Sequence, residues 1–141
     1  MDRIRVEFQP FIEEGTRQFI VESLNFHGVA TTGLPAFFPV NFVLRGACGD
    51  VLGGLLGQLW GGWLQVTSLW VAQTVRGSGH GTRLMEKAEA YALSRGAVGV
   101  TLETFTFQAR GFYEGLGYEV FAVLDGYPPG QSKLFLKKLL A

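Results

Sequence analysis

The stretch that decides the fold is Leu69–Glu89, LWVAQTVRGSGHGTRLMEKAE. An apolar run, Leu69–Val71, closes a segment of strand character. Glycines then fall at alternate positions, Gly77, Gly79 and Gly81, behind Arg76. A helical pattern starts at once. Leu84, Met85, Ala88, Ala92 and Leu93 share one stripe, while Arg83, Glu86, Lys87, Glu89 and Ser94 fall off it. A helix start leaves backbone N–H groups unpaired and carries partial positive charge. Glycines let that backbone adopt positive φ and let a ligand come close. Strand, bare loop and helix, with an arginine in front, together make a cradle for an anion, and a phosphate is the expected one.

Upstream of the loop, Val40–Gly46, Val51–Trp60 and Trp63–Val71 read as strands joined by the short turns Ala47–Asp50 and Gly61–Gly62. Turns this short predict an antiparallel meander. Further back, Arg3–Gln9 alternates polar and apolar residues and predicts a short strand. Phe11–Asn25 has helical spacing despite Gly15. Phe26–Pro39 lacks a clear period, contains Pro35 and Pro39, and is expected to be mostly loop. Downstream, Gly96 is placed to stop the helix. Val98–Phe105 predicts a strand, Gln108–Leu116 a short helix ended by Gly117, Tyr118–Leu124 a strand, Asp125–Gln131 a loop and Ser132–Leu140 a last strand. The sum is a mixed α/β fold with one right-handed parallel crossover.

A chain of 141 residues, 48% of them apolar, fits a single domain over 1–141 with one core. Lys plus Arg number 12 and Asp plus Glu number 12, which argues against a protein that coats nucleic acid. Cys48 is the only cysteine, so no intrachain disulfide forms and a reducing compartment is expected. The first ten residues lack an apolar core, so no signal peptide is expected. The greasiest stretch, Val51–Leu64, is broken by glycines and Gln58 and is too short to span a membrane. A soluble, cytoplasmic domain is the expectation. No His, Cys, Asp and Glu cluster has the spacing of a metal site.

The glycine pattern alone leaves the phosphate ligand open. The nucleotide P-loop requires Lys and then Ser or Thr after its last glycine, whereas Gly81 precedes Thr82 and Arg83. The dinucleotide fingerprint fits Gly77 and Gly79, but its third position falls on Thr82. Glu103 stands near the place of a ribose-binding acid. Three antiparallel strands before the loop argue against that fold, so nucleotide binding stays as an alternative.

RGSGHG, Arg76–Gly81, resembles the signature of GNAT acetyltransferases: arginine or glutamine, two residues, glycine, one residue, glycine or alanine. TLETFTFQARGFYEGLGYEVF, Thr101–Phe121, resembles the family's second acyl-CoA element. The likeness covers about residues 63–138. It implies a mostly antiparallel central sheet with one splayed parallel strand pair, here Trp63–Val71 and Val98–Thr104, and flanking helices. It implies acetyl-CoA as co-substrate and a primary amine as acceptor, joined in a direct ternary transfer without a metal. The implied coenzyme contacts are Leu69, Trp70 and Val71 for the pantetheine arm, and Arg76, Gly77, Ser78, Gly79, His80, Gly81 and Thr82 for the pyrophosphate. Thr106, Ala109 and Phe112 of the second element complete the set, with Phe112 also expected in the core.

The resemblance implies Tyr113 as general acid for the departing sulfur. No carboxylate stands in Trp63–Val71, where many family members carry a glutamate, so Glu103 on the next strand is the expected substitute, deprotonating the amine through a water or attracting a cationic substrate. His27 is a second candidate base. Thr106 stands where the family often has asparagine, and Arg110 is expected to face water. Cys48 is not needed as a nucleophile. The acceptor cleft is expected from Phe11–Pro39 and Asp125–Gln131, with Phe26, Phe37, Phe38, Trp60, Trp63 and Tyr127 as candidate linings. Glu7, Glu13, Glu14 and Glu22 would suit a cationic amine. A non-catalytic acyl-CoA-binding module is the competing reading. A homodimer through a free sheet edge near the C-terminus is also expected.

Overall fold

The computed structural model describes residues 3–35 and 37–140. The chain divides after residue 36 into two compact units. Among its described residues the first holds one helix, α1 (Glu14–Thr32), closed by Gly33 at φ 70°, whose N–H donates to the Val29 carbonyl at 2.8 Å. Two expectations are corrected here. Arg3–Gln9 forms no strand. Alternation says which face of a strand would be apolar, but it supplies no partner for the backbone groups. The helix also runs past Asn25 to Thr32, through the segment read as loop. The prolines behind that reading stand at 35 and 39, beyond the helix end, and Gly28 is tolerated inside it.

The second unit is built on a sheet of six strands: β1 (Phe38–Arg45), β2 (Val51–Trp60), β3 (Trp63–Val71), β4 (Gly99–Phe105), β5 (Glu119–Asp125) and β6 (Ser132–Leu139). Helix α2 (His80–Ser94) connects β3 to β4, and α3 (Arg110–Gly115) connects β4 to β5. The spatial order is β1-β2-β3-β4-β6-β5. Among the described residues, only β3 and β4 pair in parallel. The meander and the α2 crossover are as expected. The last strand is not an outer one: β6 inserts between β4 and β5, so the free edges belong to β1 and β5.

The core follows from alternation. Leu55 and Leu59 of β2, Leu64 and Val66 of β3, Val100 and Leu102 of β4, and Leu134 and Leu136 of β6 meet Leu84, Met85, Ala88 and Ala92 of α2. Burying each large side chain fully stabilises by roughly 1.5–3 kcal/mol. Leu93, expected on the same stripe, is exposed. A polar clamp closes the far side of α2. The Tyr118 hydroxyl donates to Glu89 Oε2 at 2.7 Å, and Lys138 Nζ donates to Glu89 Oε1 at 2.8 Å. Burial first, and then the bond to Glu89, push the Tyr118 phenol far above its ordinary range.

Gly99 matters for packing. A Cβ there would lie 2.5 Å from the Trp63 ring and 2.9 Å from the Lys138 carbonyl oxygen. Gly99→Ala is therefore expected to destabilise by about 1–3 kcal/mol, read as a lower urea midpoint. An unchanged midpoint would mean that the indole swings aside at no cost. Among the described residues, no helix is long and apolar enough to cross a membrane.

Candidate functional site

The parallel ladder between β3 and β4 is short. Trp63–Val66 pair with Gly99–Leu102, and there the pairing stops. The cause lies on the other flank of β3. Leu56 of β2 opposes Ser68, and Gly57 opposes Val66, so Thr67 is a surplus residue. Its hydroxyl donates to the Leu56 carbonyl at 3.0 Å. Opposite it, Gly57 has no room for a side chain, since a Cβ would come within 2.6 Å of the Gln65 carbonyl oxygen. Such a bulge bends and twists its strand. Beyond it, β3 continues with β2 while β4 continues with β6 through Phe105. A wedge opens between Thr67–Val71 and Glu103–Phe105, and each strand presents a main-chain flank without a strand partner.

Two cavities occupy this opening. The smaller, about 270 Å³, lies in the wedge between Thr67, Ser68 and Leu69 on one side and Glu103 and Thr104 on the other. The larger, about 590 Å³, runs from Leu69, Trp70 and Val71 over the glycine loop to Ala109 and Phe112. Leu69 and Tyr113 line both.

The loop is built as an anion cradle. A single 3-10 turn, Gln73–Val75, carries the chain from β3 to Arg76. Gly77 and Gly79 both sit at φ 83°, in the left-handed region. The first helical N–H with an intrahelical-type acceptor is that of Arg83, which donates to the Gly79 carbonyl at 3.0 Å. The N–H groups of Gly77, Ser78, Gly79, His80, Gly81 and Thr82 find no acceptor among the described residues. Arg76 folds back so that its Nε donates to the Val71 carbonyl at 2.8 Å, which holds the guanidinium at the cavity lining. No acidic side chain lines this cavity. A Cβ on Gly81 would lie 3.3 Å from the Phe112 ring, so the first turn of α2 and α3 pack closely here. Free amides, a positive helix end and one guanidinium suit a diphosphate.

Arg76, Gly77, Gly79, His80, Gly81 and Thr82 of the expected contacts line the large cavity, as do Leu69–Val71, Ala109 and Phe112. Ser78 lies outside the lining, although its N–H is free. Thr106 is elsewhere. Its hydroxyl donates to Gln131 Oε1 at 2.6 Å and accepts the Ser132 N–H at 3.0 Å, pinning the β5–β6 loop. Val75 and Gln108 line the cavities and were not foreseen. Gln108 is fixed by the Thr104 hydroxyl at 3.3 Å.

Tyr113 is 8% exposed, with its ring set edge-on to Phe112 and Tyr118 at 5.1 and 5.9 Å. Burial pushes its phenol above the ordinary value of 10.0. Glu103 faces the smaller cavity, and its Oε2 pairs with Lys133 Nζ at 2.7 Å. That bond raises the Lys133 ammonium pKa. Arg110 pairs with Glu114 at 2.7 Å on the surface, as its solvent-facing reading requires. His27 lies in α1, in the N-terminal unit, and Cys48 is exposed in the β1–β2 turn. Phe37, Trp60 and Trp63 come together, while Tyr127 instead stacks on Phe105 at 5.8 Å. Among the described residues, no group of three metal-ligating side chains occurs.

Known proteins share this architecture. The family model described as acetyltransferase (GNAT) family matches residues 9–118. Blasticidin-S acetyltransferase of Streptomyces morookaense is 45% identical over 96 residues, covering 67% of this chain and 71% of that protein. Acetyltransferase Atu2258 of Agrobacterium fabrum (strain C58 / ATCC 33970) is 34% identical over 99 residues, covering 70% and 72%. The crystal structure of an acetyltransferase from Bacillus cereus ATCC 14579 superposes with a TM-score of 0.79 at 26% identity, over 95% of this chain and 98% of that one.

Proposed function

This chain belongs to the acetyltransferase (GNAT) family, and from that premise we propose how its residues divide the work of moving an acetyl group from acetyl-CoA to an amine. The observation that carries the proposal is the wedge at Thr67, because it leaves the β3 main chain free beside a loop of unpaired amides. Acetyl-CoA brings the activated thioester. The amides of Gly77–Thr82 and the Arg76 guanidinium bind its pyrophosphate. The backbone of Leu69–Val71 takes the pantetheine arm as a substitute strand, which fixes the thioester carbonyl for in-line approach. A main-chain N–H near Val71 holds the developing oxyanion.

The nitrogen lone pair forms the new C–N bond, and the C–S bond breaks. Tyr113 gives its proton to the departing sulfur. Before that attack Glu103, through a water on the acceptor side of the wedge, takes one proton from the acceptor ammonium and so frees the lone pair; the second proton, lost by the nitrogen as the amide forms, passes through water to restore the Tyr113 phenol. Glu103→Gln keeps the shape and removes that base. Its kcat is expected to fall about 100-fold with the KM for acetyl-CoA unchanged. A kcat within twofold of the parent would release Glu103 from the role.

The direct test is release of free thiol from acetyl-CoA over a panel of amines, with blasticidin S first because of the relative that bears its name. Tight coenzyme binding with no thiol release across the panel would instead mark a non-catalytic acyl-CoA module. The family model runs across the division at residue 36, which supports treating the whole length as one functional domain. An exposed, unpaired Cys48 suits the cytoplasm. A homodimer would form across the β5 edge, where Phe121, Val123 and Leu124 are exposed. A monomeric mass by light scattering would reject it.

A further inference from the structure

A third cavity, about 300 Å³, opens on the β2–β3 hairpin. It is built from two cross-strand pairs. Trp60 stands opposite Trp63 at the turn, and two residues further along Gln58 stands opposite Gln65. Period-two alternation puts both pairs on one face of the sheet. Phe37 packs on Trp60 with ring centroids 5.5 Å apart. Thr101, the partner of Gln65 on β4, completes the lining. The absence of a side chain at Gly99 is what lets the Trp63 ring lie over β4.

The chemistry of this lining is specific. It carries no charge. Gln58 Nε2 donates to Gln65 Oε1 at 3.0 Å, which fixes both amides and leaves N–H donors and a carbonyl acceptor unspent. The Thr101 hydroxyl donates to the Leu136 carbonyl at 3.1 Å, so it presents only lone pairs. Aromatic surface beside a rigid donor and acceptor set is suited to a flat ring with polar edges. The volume is at the small end of ligand pockets, which run from about 300 to 1,000 Å³, so it takes one ring and not a whole acceptor.

Its position gives it a use. Gln65 and Thr101 are each two residues before Thr67 and Glu103, where the wedge opens. That is about 7 Å along the strands. We propose that this cavity is the recognition subsite for the acceptor, taking a planar, uncharged ring that bears both a hydrogen-bond donor and an acceptor, and holding it so that an amine on a short chain reaches Glu103 in the wedge. The inference rests on the transferase reading and narrows it to a substrate class: amines tethered to a polar heteroaromatic ring.

Two matched probes separate the possibilities: N-(3-aminopropyl)nicotinamide and its ringless counterpart, N-(3-aminopropyl)acetamide. Calorimetry on the whole protein with coenzyme A bound is expected to give tighter binding of the ring compound by about tenfold. Trp60→Ala and, independently, Gln65→Leu should each erase that preference. Both should leave the KM for acetyl-CoA and turnover of the ringless amine unchanged. Trp60 is 38% exposed, so its loss is tolerable for folding, and Gln65→Leu removes hydrogen bonding without leaving a hole. Equal affinity for the two probes, or equal loss of both in the variants, overturns the subsite. Ring-selective binding, together with no thiol release across the whole amine panel, upholds the subsite and sinks the transferase reading instead.

Discussion

Gly79→Val raises the dissociation constant for acetyl-CoA at least about 100-fold while leaving the protein folded. Gly79 is the N-cap of α2 at φ 83°, ψ 11°. A β-branched residue is a steric outlier there. The chain relieves the clash by leaving the left-handed region, and that turns the neighbouring amides off their common focus. Hydrogen bonds to a charged group contribute about 1.5–3 kcal/mol each, so misaiming two of them accounts for the loss. The loop is exposed, and a Cβ at 79 meets nothing within 4 Å, so the effect is conformational rather than a collision with the core. Isothermal calorimetry reads the affinity, and a thermal melt checks the fold. Parental affinity in a folded variant would remove the loop from coenzyme binding.

Tyr113→Phe lowers kcat about 100-fold and leaves coenzyme affinity within about twofold. The ring keeps its edge contacts with Phe112 and Tyr118, so packing survives and only the acidic proton is lost. Burial raises the Tyr113 pKa above 10.0, which keeps the phenol protonated across the neutral range and beyond. The parent's rate should therefore show no alkaline loss from this group until the pH passes about 10. The same shift fixes the sign for stability. Where the folded pKa is raised, stability is intact below the unfolded value and declines as pH climbs through the folded one. Tyr113 and Tyr118 both act in this direction, so alkaline unfolding should begin above about pH 10 and be blunted in Tyr118→Phe. A kcat of Tyr113→Phe equal to the parent's would leave the sulfur's proton to another donor.

The sequence disclosed those parts of the fold whose signal is local. Strands β2 and β3 meet at the Gly61–Gly62 turn, β3 ends before the bare loop, and α2 starts at His80, between the last two loop glycines and just ahead of the apolar stripe. The site loop was legible for the same reason, because φ restrictions and free amides are properties of a few neighbouring residues. Pairing between distant segments was not legible. Nothing in Ser132–Leu139 says that it lies between β4 and β5, since alternation marks a strand's faces and not its neighbours. The surplus residue at Thr67 is visible only once β2 is laid against β3. Its position in a motif suggests Thr106 as a coenzyme contact. Its hydroxyl is engaged by Gln131 and Ser132, 25 and 26 residues away. Tyr113 and Glu103 stand out in the sequence only as types of residue, and the wedge is what brings both to the lining of one cavity.

The surplus at Thr67 also determines what a shorter chain would become. Remove that single residue and the ladder could zip onward from Val66, closing the mouth with ordinary strand pairing. The edited sheet would be better hydrogen-bonded than the parent and would lack the opening. The opening is thus kept by an unfinished seam, whose raw margins meet no strand among the described residues.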